Sequence, residues 1–220
     1  MPPTDTSEKG LETLIFQAMT GRSGLEPVPD AWQEVSPTAT GGTGWLASWQ
    51  RDYDRTHALD TAQLLAFLQA TQPEELKKLG IANFSNKSDI VLLKFLARLE
   101  SEIGKRGAID VLRSGIKHGA LTFELFYGKP SPGNAKAAAL HAVNRFSVTR
   151  QLRYSLDETR RALDLCLFIN GLPIATFELK NSLTKQTVED AVEQYRRDRD
   201  PREKLFELGR CVVHFAVDEQ

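Results

Sequence analysis

Three ionisable residues interrupt an apolar stretch near the end of this chain. They are Asp164, Glu178 and Lys180, set in Leu163-Asp164-Leu165-Cys166-Leu167-Phe168-Ile169-Asn170-Gly171-Leu172-Pro173-Ile174-Ala175-Thr176-Phe177-Glu178-Leu179-Lys180. Charged groups are costly to bury unless they are paired or bind a metal. Two carboxylates that share a face can hold a hard cation such as magnesium. A lysine beside them can orient and activate an attacking water. Together these residue types are the equipment for metal-assisted hydrolysis of a phosphodiester. The competing reading is a structural salt-bridge cluster at a sheet edge.

Spacing sets a condition on the catalytic reading. Residues two apart in a strand point to the same face, so Glu178 and Lys180 face together with Leu179 opposite. Asn170-Gly171 marks a hairpin turn between two strands. A two-residue loop pairs Ile169 with Leu172, and Asp164 then opposes Phe177 and faces away from Glu178. A three-residue loop with Gly171 as a bulge pairs Phe168 with Leu172 and brings Asp164 to the face of Thr176 and Glu178. The catalytic reading therefore demands an odd-length loop or a bulge nearby. An acid-x-Lys tripeptide alone is a weak signal. The chain contains a second copy, Glu75-Leu76-Lys77, behind Pro73 in a helical pattern, where residues two apart do not face each other.

The elements that must position these residues follow from the rest of the pattern. The chain has 220 residues, 41% hydrophobic and 26% charged, enough for one sizeable core or a core with an insertion. An Asp5–Glu8 capping box opens a first helix running to about Thr20, with Leu11, Leu14, Ile15 and Ala18 on one face. The first six residues read as disordered, and Gly21 to Gly44 reads as loop. Residues 45–120 are helical in pattern, with amphipathic helices at Thr61–Leu68 and Asp89–Leu99. A short strand is predicted within 122–127 and a helix over 134–144. A strand over 146–154 places Val148, Arg150, Leu152 and Tyr154 on one face. The hairpin follows, then a helix from Thr187 to about Arg199, capped by Asp190 and ended by Pro201. A last strand spans 210–217. The order is that of a single α/β domain over 1–220, with a core of about 5–20 and 121–220 and a helical insertion at about 45–120. The stop just after a buried strand leads us to expect a piece of a longer chain.

Composition narrows the partners. The formal net charge is −1, so a nucleic acid would be gripped by local basic patches rather than by a global field. Cys166 and Cys211 read as small buried hydrophobes rather than a disulfide. His57, His118, His141 and His214 lack metal-ligand spacing. No apolar run approaches membrane-spanning length and no signal peptide is visible, so a cytoplasmic protein without a membrane partner is expected.

Asp164, Glu178 and Lys180 resemble the core of the PD-(D/E)xK nuclease superfamily. More specifically, the chain resembles the N-terminal nuclease domain of the R subunit of type I restriction-modification enzymes. The likeness lies in 144–151 (NRFSVTRQ), in Leu163-Asp164 through Ile174, in Phe177-Glu178-Leu179-Lys180-Asn181, in 190–195 (DAVEQY), in 198–202 (DRDPR) and in 213–218 (VHFAVD). It runs from about 134 to the end, with a looser likeness over the first helix.

The resemblance implies a restriction-endonuclease-like mixed sheet flanked by helices. It implies that Asp164, Glu178 and the backbone carbonyl of Leu179 bind magnesium, and that Lys180 contacts the attacking water and the phosphate. Glu12, or less readily Glu8, occupies the place of an additional acid. Of a Gln-x-x-x-Tyr motif on the next helix Gln194 is retained. The fourth following residue is Asp198, and Tyr195 comes immediately after Gln194. The substrate implied is double-stranded DNA, with sequence choice made by methyltransferase and specificity subunits. No Gly-x-x-x-x-Gly-Lys-[Ser/Thr] loop is present, so ATP would serve a motor beyond residue 220. One or two phosphate contacts are expected from among Arg150, Arg153, Lys185, Arg196, Arg197 and Arg199. The interleaved Glu189, Asp190, Glu193, Asp198 and Asp200 also suit a solvated helix face. Two other readings remain: a non-catalytic DNA- or subunit-binding module of the same fold, and a PD-(D/E)xK nuclease of repair or recombination.

Overall fold

The computed structural model describes residues 8–22, 42–81, 89–157, 161–180 and 187–218. Asp5, most of the 21–44 stretch, Asn181 and Lys185 lie outside the described residues. A mixed five-stranded sheet carries the site. Its order is β1 (Leu46–Ser48), β6 (Phe146–Leu152), β7 (Leu163–Ile169), β8 (Leu172–Leu179) and β9 (Val213–Val217). The three middle strands form the expected antiparallel meander, and each outer strand runs parallel to its neighbour.

Helices flank both faces. Helix α1 (Glu8–Thr20) covers one face, where Phe16 packs with Ala47, Val148, Leu165 and Leu179. Its buried stripe differs from the expected one. Leu14 is 51% exposed and Ala18 is also exposed, whereas Glu12 and Phe16 are buried. The reason is electrostatic: a buried Glu12 has cationic and amide partners on β6, and these turn the helix away from its most apolar arc. The other face is covered by α7 (Val188–Glu193) and the turns after it, with Tyr195, Leu205 and Phe206 against Tyr154, Leu163, Cys166 and Phe168. Thr187 and Asp190 form the capping box that opens α7.

Residues 45–120 are less uniformly helical than their pattern suggests. Helices α2 (Thr61–Thr71), α3 (Pro73–Leu79), α4 (Ile90–Arg106) and α5 (Ala108–Ser114) are present. So are two short antiparallel pairs, β2 (Tyr53–Asp54) with β3 (Leu59–Asp60) and β4 (Ile116–His118) with β5 (Leu121–Phe123). Strand β1 pairs with β6 and so belongs to the main sheet. Three residues beside β6 supply its backbone partners, and so short a strand carries almost no periodicity of its own. Glu75, Leu76 and Lys77 lie on α3, which opens with Pro73 as expected. Asn134 caps α6 (Ala135–Ala142).

The turn of the β7–β8 hairpin is buried beneath this segment. Asn170 and Gly171 have φ of 49° and 85°, the left-handed pair that a two-residue hairpin loop requires. Asn170 is fully enclosed. Its side-chain amide donates to Leu125 O at 2.8 Å and Asn144 Oδ1 at 3.0 Å, and its Oδ1 accepts from the Arg145 amide at 2.6 Å. Gly171 O accepts from the Asp60 amide at 2.9 Å, where α2 begins. A Cβ at Gly171 would stand 2.6 Å from Leu64 Cβ and 2.8 Å from Leu64 N. Gly171→Ala therefore combines a left-handed φ with a clash against backbone. It should cost about 2 kcal/mol or more of stability in urea unfolding, with the midpoint lowered and the slope unchanged.

Candidate active site

The loop has two residues, yet Asp164 and Glu178 still meet. The pairing runs Ile169 with Leu172 and Phe168 with Pro173, then resumes at Leu167 with Ala175, Cys166 with Thr176 and Leu165 with Phe177. Ile174 is the extra residue on β8. This bulge shifts the register by one, so the next positions, Asp164 and Glu178, stand across from each other. The condition set by the spacing is met by a bulge rather than by an odd loop.

At this end the two strands part. The last paired residues are Leu165 and Phe177, and the Asp164 side chain takes over the next contact: its Oδ2 accepts from the Leu179 amide at 2.7 Å. The Lys180 amide instead points to the other neighbour and donates to Val217 O at 2.8 Å. A strand residue directs its N–H and C=O to the same neighbour. The Leu179 carbonyl therefore lies on the Asp164 side of β8. Glu178 and Lys180 are only 3% and 4% exposed.

A network ties Asp164 to α1. Gln151 Nε2 donates to Asp164 Oδ1 at 3.1 Å and to Glu12 Oε2 at 2.7 Å. Arg150 Nε donates to Glu12 Oε1 at 2.5 Å, and its Nη2 to Thr13 Oγ1 at 3.1 Å. The Arg150 guanidinium lies over the Phe16 ring. Gln151 has φ of 48°, and this left-handed residue breaks the alternation expected for the strand. Val148 faces α1, whereas Leu152 and Tyr154 pack in the opposite cluster.

Glu178 has a partner that spacing did not reveal. Arg199, 8% exposed, ion-pairs with Glu178 Oε1 through Nη2. The same guanidinium donates to Tyr154 Oη at 2.9 Å and Ala162 O at 3.0 Å, and it lies over the Tyr154 ring. Here the helix after Thr187 departs from expectation. It changes to a π turn over Gln194–Asp198, closed by the Arg199 amide donating to Gln194 O at 3.0 Å. The wider turn swings Arg199 back into the interior. Arg199 is thus the cation in contact with Glu178.

The remaining expected residues are dispersed around this centre. Tyr195 Oη shares a hydrogen bond of 2.8 Å with Thr176 Oγ1, and burial pushes its phenol up. Thr176 Oγ1 also meets His214 Nδ1 at 2.6 Å. Gln194 Oε1 is buried and takes no hydrogen bond among the described residues. Arg153 is exposed and exchanges backbone hydrogen bonds with the Gln50 side chain. Arg197 is exposed and pairs with Glu193 at 3.1 Å. Cys166 is buried and Cys211 half-buried, both free. Among the described residues no group of three His, Cys, Asp or Glu side chains is arranged to hold a metal ion. A cation would therefore rest on two carboxylates and a backbone carbonyl.

Burial pushes the Glu178 carboxyl up to about 7, against the pull of Arg199 and with help from the nearby Asp164 charge. The folded value lies above the unfolded one. Its stabilising contribution is thus full below the unfolded value and is lost as pH rises through about 7. Asp60, buried at the start of α2, is also pushed up to about 7. Asp164→Asn isolates the part due to the site. Without metal, melting temperature should fall between about pH 5 and pH 8, and Asp164→Asn should make that fall shallower. Circular dichroism melts across this range decide it; an equally steep fall in the variant would uncouple the two acids.

The ion pair yields a second expectation. Arg199→Met leaves Glu178 buried without its cation and should cost about 3–5 kcal/mol. Adding Glu178→Leu should recover most of that loss, because an apolar pair of similar volume suits the same space. Chemical denaturation of the two variants measures both steps.

No match was found among curated proteins or solved structures. No helix among the described residues is long and apolar enough to cross a membrane. One family model does match, and its span takes in α6, the hairpin, α7 and β9: residues 130–220 match the type I restriction enzyme R protein N terminus.

Proposed function

We propose that this chain is the magnesium-dependent nuclease domain of a type I restriction R subunit, of PD-(D/E)xK type, and that it cuts double-stranded DNA. The observation that carries this reading is the bulge at Ile174, which sets Asp164 across from Glu178 with buried Lys180 two residues on. The family match over 130–220 supports it. The donor set suits a hard cation, since it offers carboxylate and carbonyl oxygens and no thiolate or imidazole. Asp164, Glu178 and the Leu179 carbonyl would hold the ion. Magnesium, when bound, supplies Lewis-acid polarisation of the phosphoryl group and makes water a stronger nucleophile.

The chain's own residues do the rest. The Leu179 amide and Gln151 fix both oxygens of Asp164, so the carboxylate needs no reorientation when charge arrives. Arg199 holds one oxygen of Glu178 and leaves the other available. Lys180 donates from its ammonium to the attacking water and to a non-bridging phosphate oxygen, countering the charge that builds in the transition state. Arg153, Arg196 and Arg197 are exposed and suited to phosphates, contacts that carry no sequence information. Arg150 is turned onto Glu12 and serves the site's framework in this reading. Methyltransferase and specificity subunits choose the DNA sequence, and an ATP-driven motor brings DNA to the site; all act in the cytoplasm.

Asp164→Ala, Glu178→Ala and Lys180→Ala should each lower ATP-dependent plasmid cleavage by the assembled complex on the order of 10⁴-fold. Double variants should be no worse than single ones, because such groups act as a unit. Chelation should abolish cleavage and a divalent ion restore it. Substantial cleavage by Lys180→Ala would remove that residue from the mechanism. Full cleavage by both acid variants would leave a non-catalytic module of this fold.

A further inference from the structure

The bridge between the first helix and the hairpin runs through one side chain. Gln151 Nε2 lies 2.7 Å from Glu12 Oε2 and 3.1 Å from Asp164 Oδ1. Ionised carboxylates only accept hydrogen bonds, so the amide must present its NH₂ to both, one N–H to each. Asp164 Oδ2 is already held by the Leu179 amide, and Glu12 Oε1 by Arg150. Gln151 thus holds the other oxygen of each acid. It is otherwise a poor choice for fold stability. The residue is exposed, and its φ of 48° lies where only glycine, and to a lesser degree asparagine, sits without strain.

We propose that Gln151 is a positioning residue whose amide, one N–H on Glu12 and one on Asp164, anchors the Asp164 carboxylate to α1 and so fixes it as a ligand for a divalent cation. This rests on the metal-dependent reading given above. A side chain that orients a carboxylate ligand without touching the metal strengthens binding by restricting that ligand. The left-handed backbone brings the amide round to reach both acids, so its conformational cost is offset at the site rather than in the core.

Two variants separate positioning from structure. Gln151→Gly removes the amide and relieves the backbone. Gln151→Asn keeps an amide and tolerates the backbone, but it is one methylene too short to span both acids. Mn²⁺ binding to the 220-residue chain is followed by electron paramagnetic resonance, and thermal melting is measured without metal. Melting temperatures of both variants should equal or exceed that of the unaltered chain, while Mn²⁺ affinity falls about 10–100-fold. Unchanged affinity in both variants would overturn the inference alone. So would a melting temperature lowered in both, since that marks a tie for the fold. No Mn²⁺ binding by the unaltered chain would overturn the metal-dependent reading, and this inference with it.

Discussion

Side chains on a strand alternate, so one residue decides whether two acids on adjacent strands meet or lie on opposite faces. The Asn170-Gly171 turn taken alone sets Asp164 against Phe177. Ile174, unmatched on β7, moves every later pair by one and brings Asp164 opposite Glu178. A bulge holds its register only if the hairpin cannot slide. Here the turn is fixed from outside: Asn170 bonds to Leu125, Asn144 and Arg145, and Gly171 to Asp60. Leu172 is part of the large apolar cluster built by α2 to α5. The segment from Asp60 to α5, together with Leu125, Asn144 and Arg145, thus serves the site from a distance. It grips the closed end of the hairpin so that the open end keeps its register.

The two acids at the open end are stabilised by different means. Asp164 has neutral donors on both oxygens, a backbone amide and the Gln151 side chain. Glu178 is buried and has a guanidinium. Burial outweighs that cation enough to push its carboxyl up to about 7. A pair of this kind adds little net stability, yet losing one partner is costly. Arg199 offsets the charge of Glu178 without occupying both oxygens, and its own donors are shared with Tyr154 and Ala162.

Much of this could be read from residue order. The Asn-Gly turn, the meander, the capping box at Thr187 and the helical copy of Glu-Leu-Lys follow local rules, and the structure agrees with each. What escaped depends on tertiary partners. Ile174 looks like any apolar strand residue, since a bulge is defined by the strand beside it. Gln151 sits in an alternating strand, and only its φ shows that the alternation breaks there. Arg199 stands between Asp198 and Asp200, a pattern that reads as a solvated face, and the π turn that buries it has no simple sequence mark. On α1 the apolar arc suggested Leu14 and Ala18 as inward, but Glu12 has partners on β6 and turns the helix. A buried acid with partners can outvote two small apolar contacts.

The extent of the family match gives this last point further weight. Residues 130–220 contain Gln151, Asp164, Glu178, Lys180 and Arg199. They contain neither Glu12 nor the start of α2. Without Glu12, Gln151 would hold Asp164 alone, and one end of the amide bridge would be lost. Without Asp60 and Leu64, the turn would lose the surface that pins Gly171. The matched segment thus carries Asp164, Glu178 and Lys180, while α1 and the segment after it supply part of the constraint that brings them to one place. With an unpinned turn the hairpin would be free to slip by one position, and that slip would turn Asp164 to the opposite face of the sheet from Glu178.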